Sequence, residues 1–495
     1  MSLIRNPVLP GFHPDPSIVR VGEDYYLATS TFEWYPGVRV HHSRDLVHWR
    51  PLGGILTERG QLDLSGVPDS GGVWAPDLTY HDGLFHLVYG VMDNYALGYK
   101  DIANYLVTAS SIEGPWSDPV RLPGRGFDAS LYHEDGRSWL LNMVFDSRPG
   151  RGFAGIELQP LEGGKPELIL PNRNITEGPH LYKIDGWYYL MVAEGGTGYE
   201  HGVTVLRSRS MAGPYEEDPA GPMLTSRHDP SLELQKAGHG CLVETQTGEW
   251  YVAHLVGRPY HDRTCVLGRE SALQRVEWVD GWPRVAGGVP AVEVPAPALP
   301  AHSWPAADGW HGLEQDWSTL RRPSSPDWLT ADHDGLTVHG GQSPYGLRTP
   351  SLVAHRVTAQ KCSLEAVMRF EPDTVHQSAG ITAYYNSRNW FYLAVTTDGL
   401  VLTSSDRGAR TEHLLGPAAG EVRLRVEFDG PVVRFNHGPE LDATILSDEH
   451  ADERIDGQMR AFGFTGAFAG FWVQDLAGEG CTARFEQIRY EAALP

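Results

Sequence analysis

The stretch Glu177-Gly178-Pro179-His180-Leu181-Tyr182-Lys183-Ile184-Asp185-Gly186-Trp187-Tyr188-Tyr189-Leu190 reads as a β-hairpin. Two β-branched or aromatic runs flank an Asp-Gly pair, the chemistry that a tight two-residue turn demands. The same scheme returns upstream. Asp128 leads into Ser130-Leu131-Tyr132, Asp135-Gly136 and Trp139-Leu140-Leu141, and Asp15 leads into Ser17-Ile18-Val19-Arg20-Val21 and Tyr25-Tyr26-Leu27. Two more copies lack the leading acid: Pro76-Asp77-Leu78-Thr79-Tyr80 with Asp82-Gly83, and His239-Gly240-Cys241-Leu242-Val243 with Thr247-Gly248. Aligned on Glu23, Gly83, Gly136, Gly186 and Gly248, the five units recur every 50 to 62 residues. Inserted loops account for the excess over common propeller blades of about 40 to 50 residues.

One hairpin sheet cannot bury both faces, but five packed radially can, and a β-propeller leaves only short protected edges. The expected fold is therefore all-β: a five-bladed propeller over residues 1–289. Its innermost strands begin around one axis, so Asp15, Trp74 with Ala75, Asp128, Glu177 and His239 ring a single central depression. The competing view, unrelated acids flanking strands, has to explain why three repeats carry a carboxylate at one phase.

Between 290 and 305 the chain reads PAVEVPAPALPAHSWP, a proline-rich linker whose missing N–H donors favour an extended segment. Beyond it, over 306–495, Glu421-Val422-Arg423-Leu424-Arg425-Val426-Glu427-Phe428 alternates strictly, and Cys362–Val367 and Ala483–Ile488 behave likewise. These signals predict a β-sandwich of the jelly-roll, concanavalin-like kind. It either binds sugar or buttresses its neighbour. The aromatic, glycine-rich segment Phe462–Trp472 is expected to be mostly sheet core.

A formal charge of −23 disfavours nucleic acid and anionic membranes, which would be repelled at long range, but not a neutral sugar. No apolar run approaches a membrane span, and the N-terminus lacks the apolar core of a signal peptide, so a cytoplasmic protein is expected. Cys241, Cys265, Cys362 and Cys481 show no metal-ligand or disulfide spacing.

Carboxyl groups converging on a neutral substrate suit general acid and general base catalysis, as in glycoside hydrolysis. Crowding raises the pKa of one of them and keeps it protonated near neutrality. Trp74 is expected to line a sugar pocket; Phe32 and Trp34 are either pocket or core. Arg269 either forks onto sugar hydroxyls or forms a plain ion pair. His239 is either a core histidine or an ion ligand in the axial channel.

NPVLPGFHPDPSIVRVGEDYYLATSTFEWYPGV, SGGVWAPDLTYHDG, GFDASLYHEDG, TEGPHLYKIDGWYYL, AGHGCLVET and LGRES, in this order, resemble the β-xylosidases of glycoside hydrolase family 43. The resemblance implies inverting chemistry, with Asp15 as general base, Glu177 as general acid, and Asp128 orienting the acid and raising its pKa. Inversion places Asp15 and Glu177 about 6.5 to 9.5 Å apart. It further implies that Arg269 holds the terminal xylose, that Phe32 and Trp74 line the pocket, and that Phe468 reaches in from the sandwich and closes it to long chains. A structural calcium ion near His239, often reached through water, is implied too. The loop Val91–Tyr99 departs from the family and leaves aglycone preference open.

The expected function is exo-1,4-β-xylosidase action on the non-reducing ends of xylo-oligosaccharides, by a homo-oligomer (dimer or tetramer). An α-L-arabinofuranosidase or a bifunctional enzyme is the alternative within the class. An invertase-like fructosidase lacks support without a WMNDPNG motif, and a noncatalytic sugar-binding propeller would have no need of three carboxylates.

Overall fold

A computed structural model describes residues 2–304, 313, 316–455 and 458–493. Five antiparallel sheets succeed one another along the chain, with innermost strands Ser17–Val21, Gly72–His81, Gly126–Glu134, Glu177–Ile184 and Gln235–Glu244. Four contain four strands; the fourth blade gains a fifth, Leu224–Thr225. Each expected Asp-Gly turn has both residues left-handed: Asp82 and Gly83 at φ 50° and 80°, Asp135 and Gly136 at 50° and 69°, Asp185 and Gly186 at 49° and 73°. That backbone matches the right-handed twist of the flanking strands.

A ring of hydrogen bonds shows the radial closure. Ser17 Oγ donates to Asp77 Oδ1 (3.2 Å), and the Leu131 amide donates to Asp77 Oδ2 (2.8 Å). Ser130 Oγ donates to the Pro179 carbonyl (2.5 Å), the Leu242 amide to the Tyr182 hydroxyl (2.8 Å), and the Ile18 amide to Cys241 Sγ (3.4 Å). Every innermost strand is thereby tied to the next, the fifth to the first. The N-terminal segment helps seal this joint, since the Asn6 amide group donates to the Leu273 carbonyl (2.7 Å) and accepts from the Leu273 amide (2.8 Å).

The linker is pinned rather than loose. Glu293–Pro295 pairs with Leu3–Arg5, and the Trp304 indole donates to the His48 carbonyl at 3.1 Å. Pro305 and residues 306–312 lie outside the described residues. The second half is a sandwich of an eight-stranded and a seven-stranded sheet. Leu424, Val426 and Phe428 are fully buried, as the alternation requires, with Val422 half-buried at the end of the run.

The eight-stranded sheet does not stop at the domain boundary. Its edge strand is Trp34–Tyr35 of the propeller, paired with Thr319 and Leu320. A shared apolar cluster joins Phe12, Trp34 and Trp74 of the propeller to Tyr384, Phe468 and Trp472 of the sandwich. Burial of such large rings holds the two halves as one body. Trp34 is therefore core, with no exposed surface. Among the described residues no helix is long and apolar enough to cross a membrane.

Candidate active site

Four innermost strands break register at the same end, between Trp74 and Asp77, Phe127 and Ser130, Glu177 and His180, and Gly238 and Cys241. Such bulges re-aim side chains at a sheet's rim. Left-handed backbone recurs there, at Asp15 (φ 54°), Asp128 (52°), Gly178 (56°) and His239 (50°). For a non-glycine residue this conformation stores about 1 to 3 kcal/mol, a strain that clusters at functional sites. Bulges carry Asp128 and Glu177, while the left-handed Asp15 precedes an unbroken strand; all three acids line one cavity of about 600 Å³, which Phe32, Trp74, Arg269 and His239 also line.

Asp15 is 6% exposed. It accepts from Arg269 Nη1 at 2.9 Å and from Ser30 Oγ at 2.7 Å, with His239 Nδ1 at 3.7 Å. Burial pushes its carboxyl up, but Arg269, His239 and Ser30 together outweigh burial and hold it below the usual range. Asp128 lies on the other side of that balance. Burial, then the charges of Glu177 and Asp15, push it well up, against an opposing hydrogen bond from the Gly178 amide (3.1 Å). Glu177 is pushed up to about 7, chiefly by burial and further by Asp15, while Lys100 and Arg269 pull it down. Asp15 is thus the ionised member, and the Glu177–Asp128 pair retains a proton near neutrality.

Arg269, 4% exposed, is no surface ion pair. It also donates to Thr197 Oγ1 (3.0 Å) and to the Phe464 carbonyl (3.1 Å). Among the described residues its buried Nε has no hydrogen-bond partner.

Phe468 is the one expected pocket residue that the structure places elsewhere. It has no exposed surface, sits in the sheet opposite Arg356 and Tyr384, and stacks on Trp34 at a centroid distance of 3.9 Å. Phe464 and Phe462 line the cavity from the sandwich instead. Gly463 and Gly466 permit this, because an added Cβ would meet the Asp448 carbonyl at 2.0 Å and the Leu267 carbonyl at 2.6 Å.

Lys100 has no counterpart among the expected residues. Its ammonium group lies 5.0 Å from the Trp74 ring centroid, 5.3 Å from Phe127 and 5.2 Å from Phe462. Burial pushes it down to about 8, while Glu177 and Asp128 pull it back up.

His239 is pushed down to about 4, mainly by burial, so its imidazole is neutral. Its ring packs where a Cβ on Gly178 would sit, 3.0 Å from Cε1. Calcium takes about 6 to 8 oxygen ligands. The nearest carboxylate, Asp15, is already committed to Arg269 and Ser30. Among the described residues the one cluster of three metal-ligating groups is Asp332-His333-Asp334, exposed on the sandwich. The residues around His239 do not fit a calcium ion held directly by protein.

Residues 4–283 match Glycosyl hydrolases family 43, and residues 310–491 match the Beta xylosidase C-terminal Concanavalin A-like domain. The chain is 44% identical over 531 residues to Xylosidase/arabinosidase 43B of Humicola insolens, covering 99% of this chain and 98% of that protein. It is 42% identical over 532 residues to the Beta-xylosidase of Bacillus subtilis (strain 168), covering 99% of each. The crystal structure of xylan beta-1,4-xylosidase from Bacillus halodurans C-125 superposes with a TM-score of 0.93 at 44% identity, over 99% of this chain and 100% of that one. A propeller with three converging carboxylates, a sandwich that completes its pocket and likeness along the whole length lead to one assignment: the chain belongs to glycosyl hydrolases family 43, and its homologues support xylosidase activity.

Proposed function

We propose that this enzyme is an inverting exo-1,4-β-xylosidase that removes single xyloses from the non-reducing ends of xylo-oligosaccharides. The observation that carries it is the convergence of Asp15, Asp128 and Glu177 on one cavity, with Asp15 bonded to Arg269 and Ser30, which favours its ionised form, and Glu177 buried, which favours its protonated form. Asp15 takes a proton from water as that water attacks the anomeric carbon. Glu177 gives its proton to the departing glycosidic oxygen. Asp128 shares the retained proton with Glu177 and fixes the backbone next to it by accepting from the Gly178 amide. Arg269, which lines the cavity beside Asp15, is the cationic side chain placed to meet a sugar hydroxyl. Phe462 and Phe464 wall one side of the cavity, which favours a chain end over a chain interior.

An NMR time course on xylobiose tests this. α-Xylose as the first anomer formed from the non-reducing unit supports inversion; β-xylose overturns it. The Humicola relative is named for arabinosidase as well as xylosidase activity, so p-nitrophenyl arabinofuranoside is the comparison substrate. A faster rate on it than on the xyloside would move the assignment to an arabinofuranosidase.

The pH profile follows from the same two groups. Turnover needs Glu177 protonated and Asp15 ionised, so kcat/KM on xylobiose should fall as pH rises past about 7, where Glu177 loses its proton. The acid limb should lie below the ordinary aspartate value of about 3.9, because Asp15 is held ionised. A flat profile through neutrality would contradict the acid role of Glu177.

A further inference from the structure

Ser70 takes no part in the chemistry above, yet all of its polar atoms are engaged with the pocket's surroundings. It is 1% exposed and left-handed, at φ 58°. Its amide donates to Glu33 Oε2 (3.1 Å), and its carbonyl accepts the Trp74 indole N–H (2.9 Å). Its hydroxyl donates to the Phe462 carbonyl (2.8 Å) and accepts from the Phe464 amide (3.2 Å). One residue thus bonds both the propeller's aromatic wall and the sandwich's.

The sandwich wall it grips leads straight to the reacting groups. The Phe462 and Phe464 rings stack at 4.3 Å, and Phe464 lies 5.7 Å from Trp74 and 6.0 Å from Phe32. The Phe464 carbonyl in turn accepts from Arg269, which holds Asp15. The turn that carries Ser70 is itself anchored from the sandwich. Arg321, fully buried, donates to Asp69 Oδ1 (2.6 Å) and to the Val67 carbonyl (2.8 Å), and Ser387 Oγ donates to Asp69 Oδ2 (2.6 Å). Asp69 and Ser70 therefore bond different segments of the second domain, one fixing the turn and the other fixing the wall.

We infer that Ser70 is a positioning residue: its hydroxyl holds the Phe462–Phe464 wall in register with Trp74 and Arg269, and so sets the affinity of the pocket for the terminal sugar. The inference rests on the glycosidase reading of the cavity. A residue acting only through stability would lower the melting temperature and leave the affinity of the folded protein unchanged. A positioning residue moves KM.

The test uses the full chain and two variants. Ser70→Ala removes the hydroxyl; Ser70→Gly removes it and accepts a left-handed backbone without strain. Losing hydrogen bonds to the wall should raise KM for xylobiose about three- to tenfold, with kcat within about twofold. The dissociation constant for D-xylose, read from tryptophan fluorescence of the folded protein, should rise by the same factor. Unchanged KM and xylose affinity in either folded variant would overturn the inference, and so would failure of both variants to fold, which would make Ser70 a stability residue. Wild-type protein that releases no xylose from xylobiose would instead sink the glycosidase reading, whatever the variants do.

Discussion

Asp15→Ala is expected to remove turnover on xylobiose and on p-nitrophenyl xyloside alike, with losses in the upper part of the about 10²- to 10⁴-fold range for a general base. The equality is the informative part. Activation of water is needed whatever leaves, so an activated leaving group cannot compensate. The substitution also strips Arg269 of its carboxylate, and breaking a buried ion pair costs about 3 to 5 kcal/mol. Asp15→Asn separates the two effects: the amide keeps the shape, an oxygen for Arg269 and an NH2 that can donate to Ser30 Oγ, but it cannot take a proton. Asp15→Asn should therefore melt closer to wild type than Asp15→Ala, while losing kcat to a similar degree. A folded Asp15→Asn enzyme within about tenfold of the wild-type rate would remove Asp15 from the base role, since proton transfer is worth more than that.

The repeat was legible in the sequence because turn chemistry is local. Asp135-Gly136 and Asp185-Gly186 announce the left-handed turns they form, and counting back from them lands on Asp128 and Glu177. The alternation at Leu424, Val426 and Phe428 announces the sandwich in the same way. What local pattern cannot give is where a strand begins within an aromatic run. Phe464 and Phe468 stand four apart in one glycine-rich segment, but the strand starts at Phe468 and commits it to the sheet, leaving Phe464 in the connection that reaches the pocket. Gly466, squeezed against the Leu267 carbonyl, is the nearest legible sign that this connection touches the propeller. Lys100 gives no such sign. Its place among Trp74, Phe127 and Phe462 depends on three separate parts of the chain, one of them in the other domain, and no spacing rule links them. Trp34 is illegible for a related reason: its two-residue strand completes a sheet whose other members begin nearly three hundred residues later.

Glu177→Ala should separate the two proton transfers by leaving group. Xylobiose leaves as a sugar alkoxide unless a proton reaches the glycosidic oxygen, so its rate should fall about 10²- to 10⁴-fold. p-Nitrophenyl xyloside departs as a stabilised phenolate and should lose far less. The alkaline limb near about 7 should vanish from the variant's profile on the aryl substrate, because the group that titrates there has been removed. The acid limb should persist, since Arg269 and Ser30 still hold Asp15. Asp128 adds an internal check. Burial pushes it up most and Glu177 is the largest charge that adds to this, so without Glu177 the Asp128 carboxyl should ionise more readily beside Lys100. Equal losses on both substrates, with the alkaline limb intact, would mean that the proton comes from another group and that Glu177 only shapes the cavity.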